Sequence, residues 1–454
     1  MQEEPAASPC KPRVPVPTMR AMLAGREEDT GGVQSGRSWA LLRCPDCDLL
    51  QALPPLPRGG TARCRRCRAV LRRRRSHGPT NAYLLTLAAA PLFLVANLFP
   101  FLVLDLPGGK QSSRLLSASW SLLAHDMPVV GLLVFLLVFL APATVLVVDL
   151  LVLGPLSHGR RLPVAARLFR WAEHVRPWAM LDVYLLGIIV AYVKLRDMAD
   201  IVFGPGFFAF LGTLLLLVGA DAVREPGQVW ERFGRQTRAA LGALRTLGDL
   251  VSCHTCLQLL RLRDVAPDHR LRCPRCGGTV HRRQPASVTR AWAYLVAAVA
   301  LYLPANILPV MTVTFLGKTQ SDTILSGVHE LALAGMWPLA VLVFFASFVV
   351  PIMKMIGLAY LLLSIRFGWH AGRRARTRLH RLITYVGRWS MIDVFVVGLL
   401  AALVTAGSIA AIRPELGAAA FALVVVLTML ASESFDARLI WDAAGEADER
   451  PEAA

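Results

Sequence analysis

Eight stretches of this chain run apolar for about twenty residues or more, separated by polar and often arginine-rich segments. A helix rises 1.5 Å per residue, so roughly 20 residues cross a bilayer core about 30 Å thick. The pattern predicts spans near 82–105, 127–153, 177–197 and 203–222, then near 291–315, 333–364, 386–408 and 415–433. The fourth span of each set is short and rich in glycine. Segments 155–176, 223–290 and 365–388 are dense in arginine, with Arg160, Arg161, Arg167, Arg170 and Arg176 in the first alone. The loops around 106–126 and 198–202 carry few positive charges, and Asp197 and Asp200 make the second acidic. Positive loops stay on the cytoplasmic side, so the alternation predicts a multi-pass inner-membrane protein with both termini in the cytoplasm.

The two sets of spans are copies of one another. Cys44, Cys47, Cys64 and Cys67 recur 209 residues later as Cys253, Cys256, Cys273 and Cys276. At that offset Ala96-Asn97-Leu98-Phe99-Pro100 becomes Ala305-Asn306-Ile307-Leu308-Pro309, and Pro142 becomes Pro351. After a two-residue insertion, Trp178, Met180 and Asp182 match Trp389, Met391 and Asp393. Four spans return the chain to its starting side, so the duplication is parallel rather than inverted. The predicted fold is a mainly α-helical integral membrane protein: two tandem repeats, each a four-Cys ribbon followed by about four transmembrane helices. The division reads as a disordered tail 1–39, a ribbon 40–76, a membrane unit 80–224, a linker 225–248, a ribbon 249–284, a membrane unit 288–435 and a tail 436–454.

Composition fits this picture and narrows it. The 454 residues are 55% hydrophobic, with a mean hydropathy of +0.50 and a net charge of +18, so basic and apolar residues are segregated along the chain. Residues 1–36 are polar and Pro-rich, without an apolar signal-peptide core. Eight of the nine cysteines form four C-x-x-C pairs, and Cys10 is left over. Cysteines on the cytosolic side stay reduced and read as metal ligands.

Sixteen residues separate the two pairs of each copy. Each pair sets two sulfurs on a tight turn, and the intervening hairpin brings the pairs together as a tetrahedral thiolate site. Zinc, two ions in all, is the first expectation; iron in a rubredoxin-like site uses the same four thiolates. His254, His269 and His281 lie nearby as bystanders. A redox or electron-transfer role would call for a second cofactor site, and the chain has no G-x-G-x-x-G, no Walker motif and no H-E-x-x-H. The metal is therefore read as structural and the protein as non-enzymatic, with a membrane-bound redox sensor as the alternative. The arginines around the first ribbon (Arg63, Arg65, Arg66, Arg68, then Arg72 to Arg75) end just before a span. They are read as topology and headgroup contacts, not as a nucleic-acid site.

Several residues are out of place in a bilayer. Asn97 and Pro100, repeated as Asn306 and Pro309, predict a kinked helix whose loosened backbone the asparagine satisfies. Polar loops Gly108-Gly-Lys-Gln-Ser-Ser and Gly317-Lys-Thr-Gln-Ser follow in each copy. Asp182 and Asp393 are costly in a third span and tend to face a bundle interior or a cation. Lys354, in the sixth span, is a candidate partner for one of them. Val145 takes its place in the first copy.

The doubled order C-x-x-C…C-x-x-C, A-N-x-x-P, W-x-M-x-D-V over about residues 40–442 resembles the paraquat-inducible protein A family of inner-membrane proteins. The resemblance implies work with periplasmic MCE-domain partners that form tunnels for lipids, hence loading or receiving phospholipid-like molecules. It places the family's ribbon pattern on the eight paired cysteines and its intramembrane pattern on Asn97, Pro100, Asp182, Asn306, Pro309 and Asp393. Lys354 joins them as a tentative part of a transport pathway.

Overall fold

The structure is a computed structural model. It describes residues 40–74, 78–106, 109–124, 127–160, 162, 164–195, 200–234, 250–261, 271–315, 318–333, 335–403 and 410–442. The N-terminal tail, most of the expected linker, Arg75, Asp197, His269 and the chain beyond 442 lie outside these residues.

Among the described residues eight helical segments are long and apolar enough to cross a membrane. In chain order they are Gly78–Leu98, Pro128–Ser157, Ala165–Val193, Pro205–Val223, Ser287–Ile307, Trp337–Arg366, Arg373–Ala401 and Leu416–Ser434. In each half the first span packs along the fourth. The reason lies in a seven-residue repeat of alanine: Ala82, Ala89 and Ala96, and again Ala291, Ala298 and Ala305, all with no exposed surface. Without a hydrophobic drive between helices in lipid, such small residues let backbones approach and gain dispersion contact. Gly212 completes the fit, since a methyl there would lie 2.9 Å from Leu92 Cδ1.

The third and seventh crossings are jointed. An amphipathic helix (Ala165–Val175, Arg373–Val386) leads through a 3₁₀ turn into a short apolar helix (Leu181–Leu195, Ile392–Leu403). The halves meet where these apolar helices cross: Gly187 faces Phe395, and Tyr184 lies edge-on to Phe395 with ring centres 5.5 Å apart. The second and sixth spans each contain a π-helical segment, Phe135–Leu140 and Phe345–Val349, in the turns around Pro142 and Pro351. Proline cannot supply its backbone N–H there, which favours a widened turn.

Two three-stranded antiparallel sheets cap the side opposite the ribbons. In the first, β5 (Leu102–Leu106) lies between β6 (Gly109–Ser113) and β7 (Asp200–Phe203). In the second, β12 (Met311–Phe315) lies between β13 (Lys318–Asp322) and β14 (Ala410–Pro414). These sheets correct the expected spans 82–105 and 291–315, which end as helix at Leu98 and Ile307. The polar segments read as loops are their edge strands. The segments assigned as linker and tail also begin with structure. Pro226–Phe233 is a helix, and Asp436, Arg438 and Ile440 are buried.

Candidate functional site

Four hairpins build the two ribbons: β1 (Ala40–Arg43) with β2 (Leu50–Leu53), β3 (Thr61–Arg63) with β4 (Val70–Arg73), β8 (Leu250–Ser252) with β9 (Leu259–Arg261), and β10 (Leu271–Arg272) with β11 (Thr279–Val280). A C-x-x-C pair sits at each tip. In every tip the residue after the second cysteine takes a left-handed backbone: Asp48, Arg68, Leu257 and Gly277. Its N–H bonds back to the carbonyl of the first cysteine, at 2.8–3.0 Å in all four. Only one of the four is glycine, so three knuckles hold a conformation that costs about 1–2 kcal/mol. Gathering four sulfurs offsets that cost.

The sulfurs converge. Cys44 Sγ lies 3.4 Å from Cys67 Sγ, and the pairs Cys47–Cys64, Cys253–Cys276 and Cys256–Cys273 are each 3.5 Å apart. Within each cluster all four lie within 4.8 Å of one another, and all eight cysteines are buried. A tetrahedral zinc with Zn–S bonds of about 2.3 Å needs sulfurs roughly 3.8 Å apart, so either cluster fits a four-thiolate ion. Hydrogen bonding among the sulfurs, with Cys44 first and burial adding to it, pushes the Cys47 thiol far above its ordinary range. The same contacts hold Cys64 far below it. A bound cation would take the place of the retained protons, so the affinity of either cluster for metal would fall as pH falls. Outer hydrogen bonds reach the sulfurs as well, from Gln51 Nε2 to Cys64 Sγ (3.1 Å) and from Gly278 N to Cys276 Sγ (3.4 Å).

The ribbons are docked crosswise. Arg381, on the amphipathic helix Arg373–Val386 of the second half, donates to Asp46 Oδ2 (2.7 Å) and to the carbonyl and sulfur of Cys67 (both 3.3 Å) in the first ribbon. Arg170, its counterpart on Ala165–Val175 of the first half, donates to the Cys276 carbonyl (2.9 Å) in the second ribbon. Trp441 packs against the first ribbon, and its counterpart Trp230 lies in the cluster that includes the second. Sequence reading took Arg170 only as a topology signal. The available clue was that both arginines occupy one position of the repeat.

The charges within the bundle separate the halves. In the first, Asp149 is 2% exposed and accepts two hydrogen bonds from Arg176 Nη2 (2.9 and 2.8 Å). Arg176 also reaches Asp221 (2.5 Å), and Glu173 joins Arg224 (2.5 Å), closing a five-member network. Asp149 was not singled out from sequence, although one carboxylate amid Val147-Val148-Asp149-Leu150-Leu151 is itself a signal. In the second half, Lys354 is 3% exposed and its Nζ has no hydrogen-bond partner among the described residues. The carboxylate whose field acts on it is Glu433, rather than the aspartate expected from sequence. Its Nζ rests over Gly387, where a methyl would lie 2.5 Å away.

The two motif aspartates also differ. Asp182 is exposed, against the expectation of an interior position, because the first turn of its helix turns that edge outward. Asp393 is partly buried and lines a cavity of about 50 Å³ with Val190, Asp322, Thr323, Val343 and Val397.

Asn97 and Asn306 donate to the carbonyls four residues back, Phe93 (2.7 Å) and Tyr302 (2.8 Å), and among the described residues the buried Oδ1 of Asn97 has no partner. Pro100 and Pro309 do not kink a helix; they follow its end. Their carbonyls accept from Gly206 N (3.0 Å) and Gly417 N (3.1 Å), which seats the start of the fourth and eighth spans. Glycine is required there, since a methyl on Gly417 would collide with Pro309 O.

The family model described as paraquat-inducible protein A matches residues 80–234 and 288–445. The chain belongs to the PqiA family. It is 36% identical over 408 residues to the lipophilic envelope-spanning tunnel protein A of Escherichia coli K12, covering 88% of this chain and 91% of that protein. It is 35% identical over 417 residues to intermembrane transport protein PqiA of the same strain, covering 89% and 96%. A probable intermembrane transport protein of Haemophilus influenzae is 28% identical over 405 residues, covering 88% and 95%. No solved structure matches the chain. The family match spans both membrane units and so includes the Lys354 and Asp149 sites.

Proposed function

We propose that this PqiA-family chain is the inner-membrane subunit of a lipid transport system, passing phospholipid-like molecules between the inner membrane and a periplasmic MCE-domain tunnel protein. The observation that carries the reading is the family itself: relatives matched over nearly their whole length are named for intermembrane transport and an envelope-spanning tunnel. The eight apolar spans, with arginines gathered on the ribbon side, support a multi-pass inner-membrane placement with both termini in the cytoplasm. The two sheets then face the periplasm, where a partner would dock. Ribbons 40–76 and 249–284 are read as structural zinc modules, one ion each, and 80–224 and 288–435 as the membrane units.

The pathway is assigned to the seam between the halves. Lys354 and Asp393 supply charge within the bundle, and Asn97, Pro100, Asn306 and Pro309 shape its periplasmic end. Asp182 meets headgroups from the exposed face. The role is non-enzymatic. With no nucleotide-binding motif in the sequence, the drive comes from a proton gradient acting on the buried charges or from downhill lipid flow.

Native mass spectrometry of the gently solubilised protein tests this directly. Two zinc ions, retained phospholipid and an MCE-type partner are expected. Iron without lipid or partner would replace the proposal with a membrane redox protein. In cells, Lys354→Met and Asp393→Asn at normal membrane levels should weaken the outer-membrane barrier as deletion of the partner does. Full function in both variants would leave only a scaffold.

A further inference from the structure

Each ribbon precedes its own half in the chain, yet its metal-binding tips rest on the other half. The contacts are built on the metal loop itself. Arg381 holds the carbonyl and sulfur of Cys67, and Arg374 of the same helix holds the carbonyl of Arg66 (2.8 Å). On the other side Arg170 holds the carbonyl of Cys276, and its side chain runs 3.4 Å from where a methyl on Gly278 would lie. These carbonyls point outward because the next residue, Arg68 or Gly277, is left-handed. In each ribbon the same tip carries the gathered sulfurs and the carbonyl that the arginine holds.

We propose that metal in each ribbon fixes the amphipathic helix of the opposite half, with Arg381 and Arg170 as the two positioning residues. The consequence is directional. Metal in the first ribbon holds Arg373–Val386, more than 300 residues on in the chain, and therefore Gly387 and the Lys354 that rests on it. Metal in the second ribbon holds Ala165–Val175, which leads into Arg176 and its bond to Asp149. Contacts to a ribbon's own half are of another kind. Arg72 pairs with Glu231 and Arg438 with His254 (2.9 Å), and neither uses a carbonyl or sulfur of a metal-binding cysteine.

The inference rests on reading both clusters as metal sites, and hydrogen exchange read by mass spectrometry separates the two claims. The full chain in lipid nanodiscs is compared with a Cys44→Ser/Cys47→Ser variant, a Cys253→Ser/Cys256→Ser variant, Arg381→Gln and Arg170→Gln, with bound metal counted in each. The first cysteine variant should lose one ion per chain and speed exchange about tenfold in 373–386 while 165–175 is unchanged. The second should do the reverse. Arg381→Gln and Arg170→Gln should keep both ions and reproduce the crossed pattern in weaker form, so the test survives if a cysteine variant fails to insert. Unmodified protein without bound metal overturns the metal reading. Two bound ions with faster exchange in the ribbon's own half, in both helices equally, or in neither overturns the clamp.

Discussion

The two halves descend from one unit and solve the same problem differently. In the first, a cation on the joint before the third span, Arg176, reaches a buried carboxylate on the second span, Asp149, and the pair sits inside a network of five charged side chains. In the second, Leu358 stands in place of Asp149, Gly387 in place of Arg176, and Thr384, Ser432 and Phe435 in place of Glu173, Asp221 and Arg224. The cation has moved to Lys354, one turn along the sixth span, and Gly387 has lost its side chain to make room for it. A closed network pins the first joint, whereas at the second a buried lysine with no hydrogen-bond partner among the described residues sits in the field of Glu433. The first half closes its buried charges into a network, and the second leaves one buried lysine outside any hydrogen bond among the described residues.

The largest expected effect comes from breaking the first network. Arg176→Met leaves Asp149 buried and unpaired, which should cost about 3–5 kcal/mol in thermal unfolding. Installing the second half's solution, Asp149→Leu with Arg176→Gly, should recover most of the loss. If the double variant is no more stable than Arg176→Met, the equivalence of the two joints is wrong. Next is Gly387→Ala, whose methyl would sit on the lysine ammonium; overpacking of that kind should cost about 1–3 kcal/mol and reduce barrier function. The matching change on the other side, Arg176→Ala, should act through charge instead and worsen when Asp149 is kept.

Lys354→Met sharpens the contrast from the opposite direction. Replacing a buried lysine that makes no hydrogen bond among the described residues by an apolar side chain should leave stability unchanged or raise it by up to about 2 kcal/mol, while barrier function falls. A clear loss of stability would mean the lysine is structural. The motif aspartates should separate too: Asp182→Asn within about 0.5 kcal/mol of the parent, Asp393→Asn more costly. Smallest is a pH effect on the cytoplasmic side. Burial alone would raise the Asp436 carboxyl, but Arg438 hydrogen-bonds it (2.9 and 2.8 Å) and holds it below its ordinary 3.8. That stabilisation is complete above pH 3.8 and is lost as pH falls further, so Arg438→Gln should flatten the acid limb of a stability curve.

The duplication, the eight spans and the cysteine clusters were legible because each depends on spacing alone. The two sheets were not. Phe99 to Leu106 continues the apolar run of the helix before it, and hydrophobicity by itself does not tell a buried strand from more helix. Pro100 and Pro309 were the available stop signals and were read instead as kinks. Charge pairing was legible in kind and missed in detail, since Lys354 was visible but its neighbour Glu433 comes from another span. The crossed docking of the ribbons leaves no periodic trace, because it joins segments at opposite ends of the chain.

That crossing sets an order of assembly. The first ribbon leaves the ribosome some 300 residues before the surface that receives it, because Arg374 and Arg66 are 308 positions apart. Through the insertion of six spans its cysteine tips have no seat, only the Arg72–Glu231 contact with its own half, so the ribbon must stay soluble at the membrane surface while the rest is made. The earliest-finished module is thus among the last to be seated, and its docking marks a chain whose second half has arrived intact.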